Sequence, residues 1–372
     1  MSSVRIAMVA GETSGDILGA QVIGALKKRV PNIEFEGIGG PRMVAAGFSS
    51  WFDMERLAVM GLVEPLKRLP ELLSMRQQLK KHWLKHPPDL FLGIDAPDFN
   101  LNIETALKAQ RIPTAHLVCP TVWAWREGRI KTIGKACDDV LCLFPFEPPS
   151  FEGSNVRAHF VGHPMVEALD DLPSEVDIRV AFNLTDRPVF ALLPGSRRSE
   201  IQSLLPVYLA ALELCDLPHE IVIPASNDAN FELIQSILAT FTIKARVVNG
   251  GSRELLKIAE QAIVTSGTAT LEAALLECPM VIAYRMSPLS WFFIKRLVRT
   301  PFAGLPNIML DRAVVPELIQ ENLTPRALAD EVQTLLDGGA LDQKAAFKEI
   351  LSALDTRFGD HCASILVNTL GR

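Results

Sequence analysis

The chain alternates. Short runs rich in Val, Ile, Leu and Phe (VRIAMVA, EFEGIG, DLFLGI, TAHLV, DVLCLF) have stretches of helical periodicity between them. The first such stretch is SGDILGAQVIGALKKR, with Ser14 placed to cap it. A strand can be apolar at every position only if both of its faces are buried, so this alternation points to parallel sheets covered by helices on both sides. After an acid- and Pro-rich stretch at 161–177, VGHPMVEALDDLPSEVD, the alternation restarts with VFALLP, EIVIPA, ARVVN, AIVTS and MVIAY. The expectation is an α/β protein of two doubly wound domains, 1–165 and 166–345, with 346–372 as a terminal helix able to return to the first domain.

At 372 residues the chain is long for one core, and 48% apolar with 22% charged residues is a globular composition. The net charge of −6 argues against a nucleic-acid partner. The six cysteines (Cys119, Cys137, Cys142, Cys215, Cys278, Cys362) form no C-x-x-C pair and lie at no metal-ligand spacing from histidine, so they read as reduced core thiols. The opening MSSVRIAMVAGETSGD lacks the long apolar run of a secretory signal. No window reaches the roughly 18 apolar residues of a membrane span, so a membrane would be met from the side.

In doubly wound sheets ligands bind beyond the carboxyl ends of the strands, which directs attention to the strand-to-helix turns. ALLPGSRRSEI leaves a strand at Leu193 and enters a helix near Ser199. Gly195 permits a tight turn, Ser196 is a candidate cap, and Arg197 and Arg198 supply positive charge beside free amides. IVTSGTATLEAALL repeats the arrangement with Ser266, Gly267 and Thr268, and Glu272 lies one turn along, placed to accept hydrogen bonds from a sugar. Two anion-suited turns in one domain favour a nucleoside diphosphate. Neither G-x-x-x-x-G-K-[ST] nor G-x-G-x-x-G is present, which weighs against ATP hydrolysis and simple NAD chemistry.

In the first half, acids gather at such turns: Glu12 and Asp16 in AGETSGD, Asp95 and Asp98 in GIDAPDFN. Trp123, Trp125 and Arg126 follow a third strand. Carboxylates and aromatic rings at one edge suit a sugar-like ligand, the acids holding hydroxyls or removing a proton. A basic amphipathic stretch lies between these turns. Leu62, Val63, Leu66 and Leu69 crowd its start; Leu72, Met75, Leu79 and Trp83 form a stripe, with Leu73 beside it. Lys67, Arg68, Arg76, Lys80, Lys81 and Lys85 outnumber Glu64 and Glu71. Pro65 and Pro70 are expected to interrupt it, with Pro70 at a helix start. YRMSPLSWFFIKRLVRTPF repeats the theme, setting Trp291, Phe292, Phe293 and Ile294 among Arg285, Lys295, Arg296 and Arg299. Apolar faces with basic flanks suit an anionic membrane surface, or a helix packed on the core with a solvated basic side.

VAGETSGDILGA, MGLVEPL, GIDAPDFN, VWAWREGRI, FVGHPM, LLPGSR, SGTATLE, PMVIAYRM and LPNIML, in that order, resemble the lipid-A-disaccharide synthases. The resemblance implies a GT-B fold, two Rossmann-like domains facing across a cleft. It implies transfer of diacylglucosamine from UDP-2,3-diacylglucosamine to lipid X, giving the lipid A disaccharide phosphate and UDP. It further implies an inverting enzyme that uses no metal or other cofactor and sits peripherally on the inner face of the bacterial inner membrane; a homodimer is compatible with it. The UDP site would fall on Gly195, Ser196, Arg197, Ser266, Gly267, Thr268 and Glu272, a functional Asn on Asn307, and functional acids on Glu12 and Asp95. Inversion needs a base opposite the leaving UDP. Asp95 is the first candidate and Glu12 the second, with Asp98 orienting Asp95 or capping the next helix. The rival reading is a UDP-sugar epimerase on the same fold, which would share the UDP turns but not need a lipid-facing surface.

Overall fold

The computed structural model describes residues 3–57, 64–120, 128–215, 217–287, 291 and 300–371, with backbone alone for 64–69. The chain divides into two compact units, Met1–Pro164 with Asp355–Arg372, and Met165–Leu354. Each is a wholly parallel sheet with helices between strands, the layout that the continuous apolar runs require.

The first unit contains β1 (Val4–Ala10), β2 (Ile33–Ile38), β3 (Ser49–Phe52), β4 (Leu90–Ile94), β5 (Thr114–Leu117), β6 (Asp139–Cys142) and β7 (Arg157–Phe160), in the spatial order β3-β2-β1-β4-β5-β6-β7. The order reverses between β1 and β4, which pair from Ile6↔Leu90 to Ala10↔Ile94. The second unit contains β8 (Val189–Leu193), β9 (Glu220–Ala225), β10 (Ala245–Asn249), β11 (Ala259–Thr265), β12 (Met280–Tyr284) and β13 (Glu317–Ile319), in the order β10-β9-β8-β11-β12-β13. Its reversal falls between β8 and β11, up to Val264↔Leu193. At such a reversal the crossover helices diverge to opposite faces and leave a crevice at the carboxyl edge.

Asp355, not 346, begins the returning segment, because helix Ala340–Leu354 lies wholly in the second unit. Helix Phe358–Thr369 packs on helix Thr13–Arg29, and Phe358, Cys362, Ala363 and Leu366 join the core of β1 and β4. Thr369 Oγ1 fastens its end to the buried Asp139 carboxylate at 2.7 Å.

The amphipathic stretch is one helix, Glu64–Lys85, and Pro70 sits inside it instead of at its start. Of the two readings of the stripe, the core-packed one holds for its later residues. Met75, Leu79 and Trp83 are buried in the core, with the Trp83 ring 5.2 Å from Phe91 and its Nε1 donating to Glu36 Oε1 at 3.1 Å. A four-residue spacing places them on one face, and that face meets protein. Leu72 is half-buried, whereas Leu73 and Leu84 are exposed, at 44% and 41%. Leu62 and Val63, the side chains of Leu66 and Leu69, Trp123, Trp125, Arg126, and Phe292, Phe293, Ile294, Lys295, Arg296 and Arg299 of the second basic stretch lie outside the described residues. Among the described residues no helix is long and apolar enough to cross a membrane.

Candidate active site

In the second unit both anion-suited turns fall at the reversal of strand order. After β8 the chain passes Pro194 and turns at Gly195, whose φ of +100° lies where a Cβ is strained. Helix Arg198–Leu212 then begins, with Arg197 in the N-cap position that Ser196 was expected to fill. Ser196 contributes its carbonyl instead, which accepts from the buried Asn230 at 2.8 Å. After β11, Ser266 and Gly267 (φ +156°) lead into helix Thr268–Leu275. The Ser266 hydroxyl donates to the Ala303 carbonyl at 2.9 Å. A cavity of about 440 Å³ opens over both helix starts, lined by Gly195, Ser196, Arg197, Ser266, Gly267 and Thr268. Amides at two helix N-termini and one exposed guanidinium make it an anion site of ligand size.

The cavity also has walls that the sequence reading passed over: Glu200 from the first turn, Pro224 near the end of β9 and Ser226 just after it, Gly250 and Ser252 after β10. The SND run after EIVIPA carries the usual turn signal, but it has no basic residue to mark it as an anion site. The Glu200 carboxylate accepts from the Arg197 amide at 3.3 Å and from its guanidinium at 2.9 Å. Burial, then the Glu200 charge, pushes the Tyr284 phenol up, while Arg197 draws it down.

Two predicted residues take other places. Glu272 is not in the cavity wall; its carboxylate is held by Arg253 at 2.7 Å. Asn307 is buried, and its amide is fully used: Oδ1 accepts from Val314 and Val315 at 2.8 and 2.9 Å, and Nδ2 donates to Val315 and to Glu317 at 2.8 and 2.7 Å. Glu317 in turn accepts from the amides of Ala303 and Gly304, and Ala303 holds Ser266. Asn307 therefore braces the turn from behind; with all four hydrogen-bonding positions taken, its side chain offers nothing to a ligand in this arrangement.

The first unit places its acids at the matching crevice. Glu12 follows β1 and Asp95 follows β4, and Ala10 and Ile94 are register partners, so both acids stand at one edge. The two turns nearly touch: a Cβ on Gly11 would lie 2.8 Å from that of Ala96. Glu12, not Ser14, is the N-cap residue of helix Thr13–Arg29, and its exposed side chain makes no capping bond. The backbone is strained here. Asp95 (φ +51°), Ala96 (φ +43°) and Val118 (φ +77°) all sit in the left-handed region, and Val118 is β-branched. Asn100, fully buried, holds this bend by donating to the carbonyls of Val9 and Asp95 at 3.2 and 2.8 Å. Among the described residues no donor meets the Asp95 carboxylate. Asp16 and Asp98 serve the framework: Asp16 accepts from the amides of Arg42 and Met43, and Asp98 pairs with Arg129.

Distant sequence positions also converge below this edge. Glu104 accepts from His116 Nδ1 at 2.7 Å and from the Cys137 thiol at 3.0 Å, all three buried. Tetrahedral zinc ligands stand about 3.3 Å apart, so the His116–Glu104 pair is hydrogen-bonded. Burial, then Glu104, pushes the Cys137 thiol well up and keeps it protonated. Spacing alone could not show this meeting, because the three residues come from different elements.

The sequence model of the lipid-A-disaccharide synthetase family matches residues 6–361. The chain belongs to that family. It is 47% identical to the lipid-A-disaccharide synthase of Saccharophagus degradans over 352 residues, covering 92% of this chain and 91% of the relative. It is 44% identical to that of Chromobacterium violaceum over 361 residues, covering 95% and 94%. Among solved structures it resembles the UDP-GlcNAc 2-epimerase of Neisseria meningitidis bound to UDP-GlcNAc, with TM-score 0.64, 15% identity, and 99% of each chain covered. It also resembles the calicheamicin glycosyltransferase CalG4, with TM-score 0.63, 14% identity, and 100% and 99% covered. These two likenesses concern fold and place the chain among the two-domain GT-B proteins. Membership of the lipid-A-disaccharide synthase family makes it a glycosyltransferase of lipid A biosynthesis.

Proposed function

We propose that this enzyme transfers a diacylglucosamine unit from UDP-2,3-diacylglucosamine to lipid X, 2,3-diacylglucosamine 1-phosphate, with inversion. The supporting observation is the cavity at the β8–β11 reversal, where two helix starts and Arg197 converge. The acceptor hydroxyl oxygen bonds to the anomeric carbon as the bond from that carbon to the diphosphate oxygen breaks. The electron pair leaves with UDP, and the hydroxyl proton passes to a base. Asp95 is that base: its carboxylate has no protein donor among the described residues to compete with substrate, and Asn100 fixes its backbone. Glu12, exposed on the adjoining turn, binds acceptor hydroxyls. Arg197 and the amides after Gly195 and Gly267 stabilise the departing diphosphate.

The acyl chains bring the enzyme to the inner-membrane surface, where exposed Leu73 and Leu84 stand among Lys80, Lys81 and Lys85. The test is UDP release from UDP-diacylglucosamine with and without lipid X, with the product weighed by mass spectrometry. Release that requires lipid X and yields the disaccharide phosphate is expected. A UDP-sugar product of unchanged mass would establish the epimerase reading instead.

A further inference from the structure

The diphosphate cavity contains a carboxylate, which is a contradiction to be explained. Glu200 lines the wall, its side chain only 14% exposed, whereas Arg197 is 76% exposed. The acid is wedged beneath the turn: a Cβ on Gly195 would lie 2.4 Å from Glu200 Oε2. A buried negative charge repels a bound diphosphate, and a glutamine could supply the same acceptor to the Arg197 amide. The charge itself therefore has a use, and its partner is the Arg197 guanidinium, at 2.9 Å.

We infer that Glu200 is a positioning residue that holds Arg197 at the cavity mouth and competes with the diphosphate for it. This rests on the reading of the cavity as a UDP site. When the diphosphate arrives, Arg197 exchanges one oxyanion for another. When UDP departs, the guanidinium returns to Glu200 instead of clinging to product. Glu200 thus weakens UDP binding and speeds UDP release, while its fixed carboxylate keeps Arg197 within reach of the next donor.

The test uses the full chain and UDP as the probe, with affinity by calorimetry and release by stopped flow. Measurable UDP binding by the wild type is the first requirement; its absence would overturn the UDP-site reading, whatever Glu200 does. Given that binding, Glu200→Gln should tighten UDP about 5- to 20-fold, the worth of one charge-assisted contact. Its release rate should fall in proportion. Glu200→Asp, which restores the charge, should bring the affinity back toward wild type. In an Arg197→Ala background the gain from Glu200→Gln should shrink to less than twofold. An affinity unchanged or weakened in Glu200→Gln overturns the inference, because a helix-capping glutamate would lower thermal stability without tightening UDP. A gain that persists undiminished without Arg197 also overturns it, for the carboxylate would then act on the diphosphate directly.

Discussion

Asp139→Asn probes the join between the C-terminal helix and the first unit. Asp139 opens β6 at 1% exposure and accepts from Arg157 Nε and Nη2 at 2.8 and 2.7 Å, His159 Nε2 at 2.8 Å and Thr369 Oγ1 at 2.7 Å. Burial alone would raise its carboxyl. The hydrogen bonds of His159, Arg157 and Thr369 more than reverse this and hold it well below the ordinary 3.8. An asparagine keeps the shape but loses the charge and turns an NH₂ toward donors. Breaking a buried pair costs about 3–5 kcal/mol. Arg157 is 64% exposed and regains water, so its share is small, about 0–1 kcal/mol. The bonds to His159 and Thr369 then dominate, giving a loss of about 2–3 kcal/mol. For a unit of this size that lowers Tm by about 5–10 °C. Differential scanning calorimetry at pH 7 measures it, and hydrogen exchange over 358–369 shows whether the helix loosens first. Because the folded pKa is depressed, this stability is fully present above pH 3.8 and fades as pH falls toward the folded value. The gap between wild type and variant should hold from pH 7 to 5 and narrow below about 4. A Tm within 1 °C of wild type at pH 7, with exchange unchanged, would refute the argument.

Asp95→Asn should leave Tm within about 2 °C and lower kcat at least about 10²-fold, as expected for loss of a general base; turnover near wild type would remove Asp95 from that role. Gly195→Ala puts a methyl at φ +100° and 2.4 Å from Glu200 Oε2. The strain of about 1–3 kcal/mol should weaken UDP about 10- to 100-fold, read by calorimetry, and an affinity within twofold of wild type would contradict it. Leu73→Ser with Leu84→Ser should reduce flotation with anionic vesicles while UDP release from soluble short-chain donors stays constant; unchanged flotation would place the membrane contact elsewhere.

How much of this was legible in the sequence depended on burial. β1, β4 and β8 are apolar at nearly every position, and β11 is so from Ala262 to Val264, because helices cover both faces, and these runs stand out in the sequence. β3, β7 and β13 did not, since SSWF, RAHF and ELI are short, only partly buried and partly polar. Periodicity placed Met75, Leu79 and Trp83 on one stripe but could not say what the stripe faces, and the answer is the Phe91 side of the core. Gly195 and Arg197 were readable because glycine and arginine have few reasons to stand together after a buried strand. Glu200 was not, because a glutamate three residues into a helix has an ordinary capping explanation. Asn307 shows the opposite failure: a motif identified the residue, and its hydrogen bonds assign it work behind the turn.

The two crevices solve the same backbone problem differently, and the difference bears on which side chains matter. In the second unit the positive-φ positions that follow β8 and β11, at the reversal, are Gly195 and Gly267, where bare backbone faces the cavity. In the first unit those that directly follow β4 and β5 are Asp95, Ala96 and Val118, which bear the left-handed penalty of about 1–2 kcal/mol each. Such a cost persists at Asp95 if the carboxylate is needed, but Ala96 has no such excuse. Ala96→Gly should therefore be neutral or stabilising by up to about 1 kcal/mol and keep turnover, since glycine reaches φ +43° freely. Asp95→Gly relieves the same strain and should be equally well folded, yet inactive. Chemical denaturation and the UDP-release assay, run on both variants, separate strain from chemistry. If Asp95→Gly retained activity, or if Ala96→Gly lost it with folding intact, the strained edge would not be serving the Asp95 carboxylate.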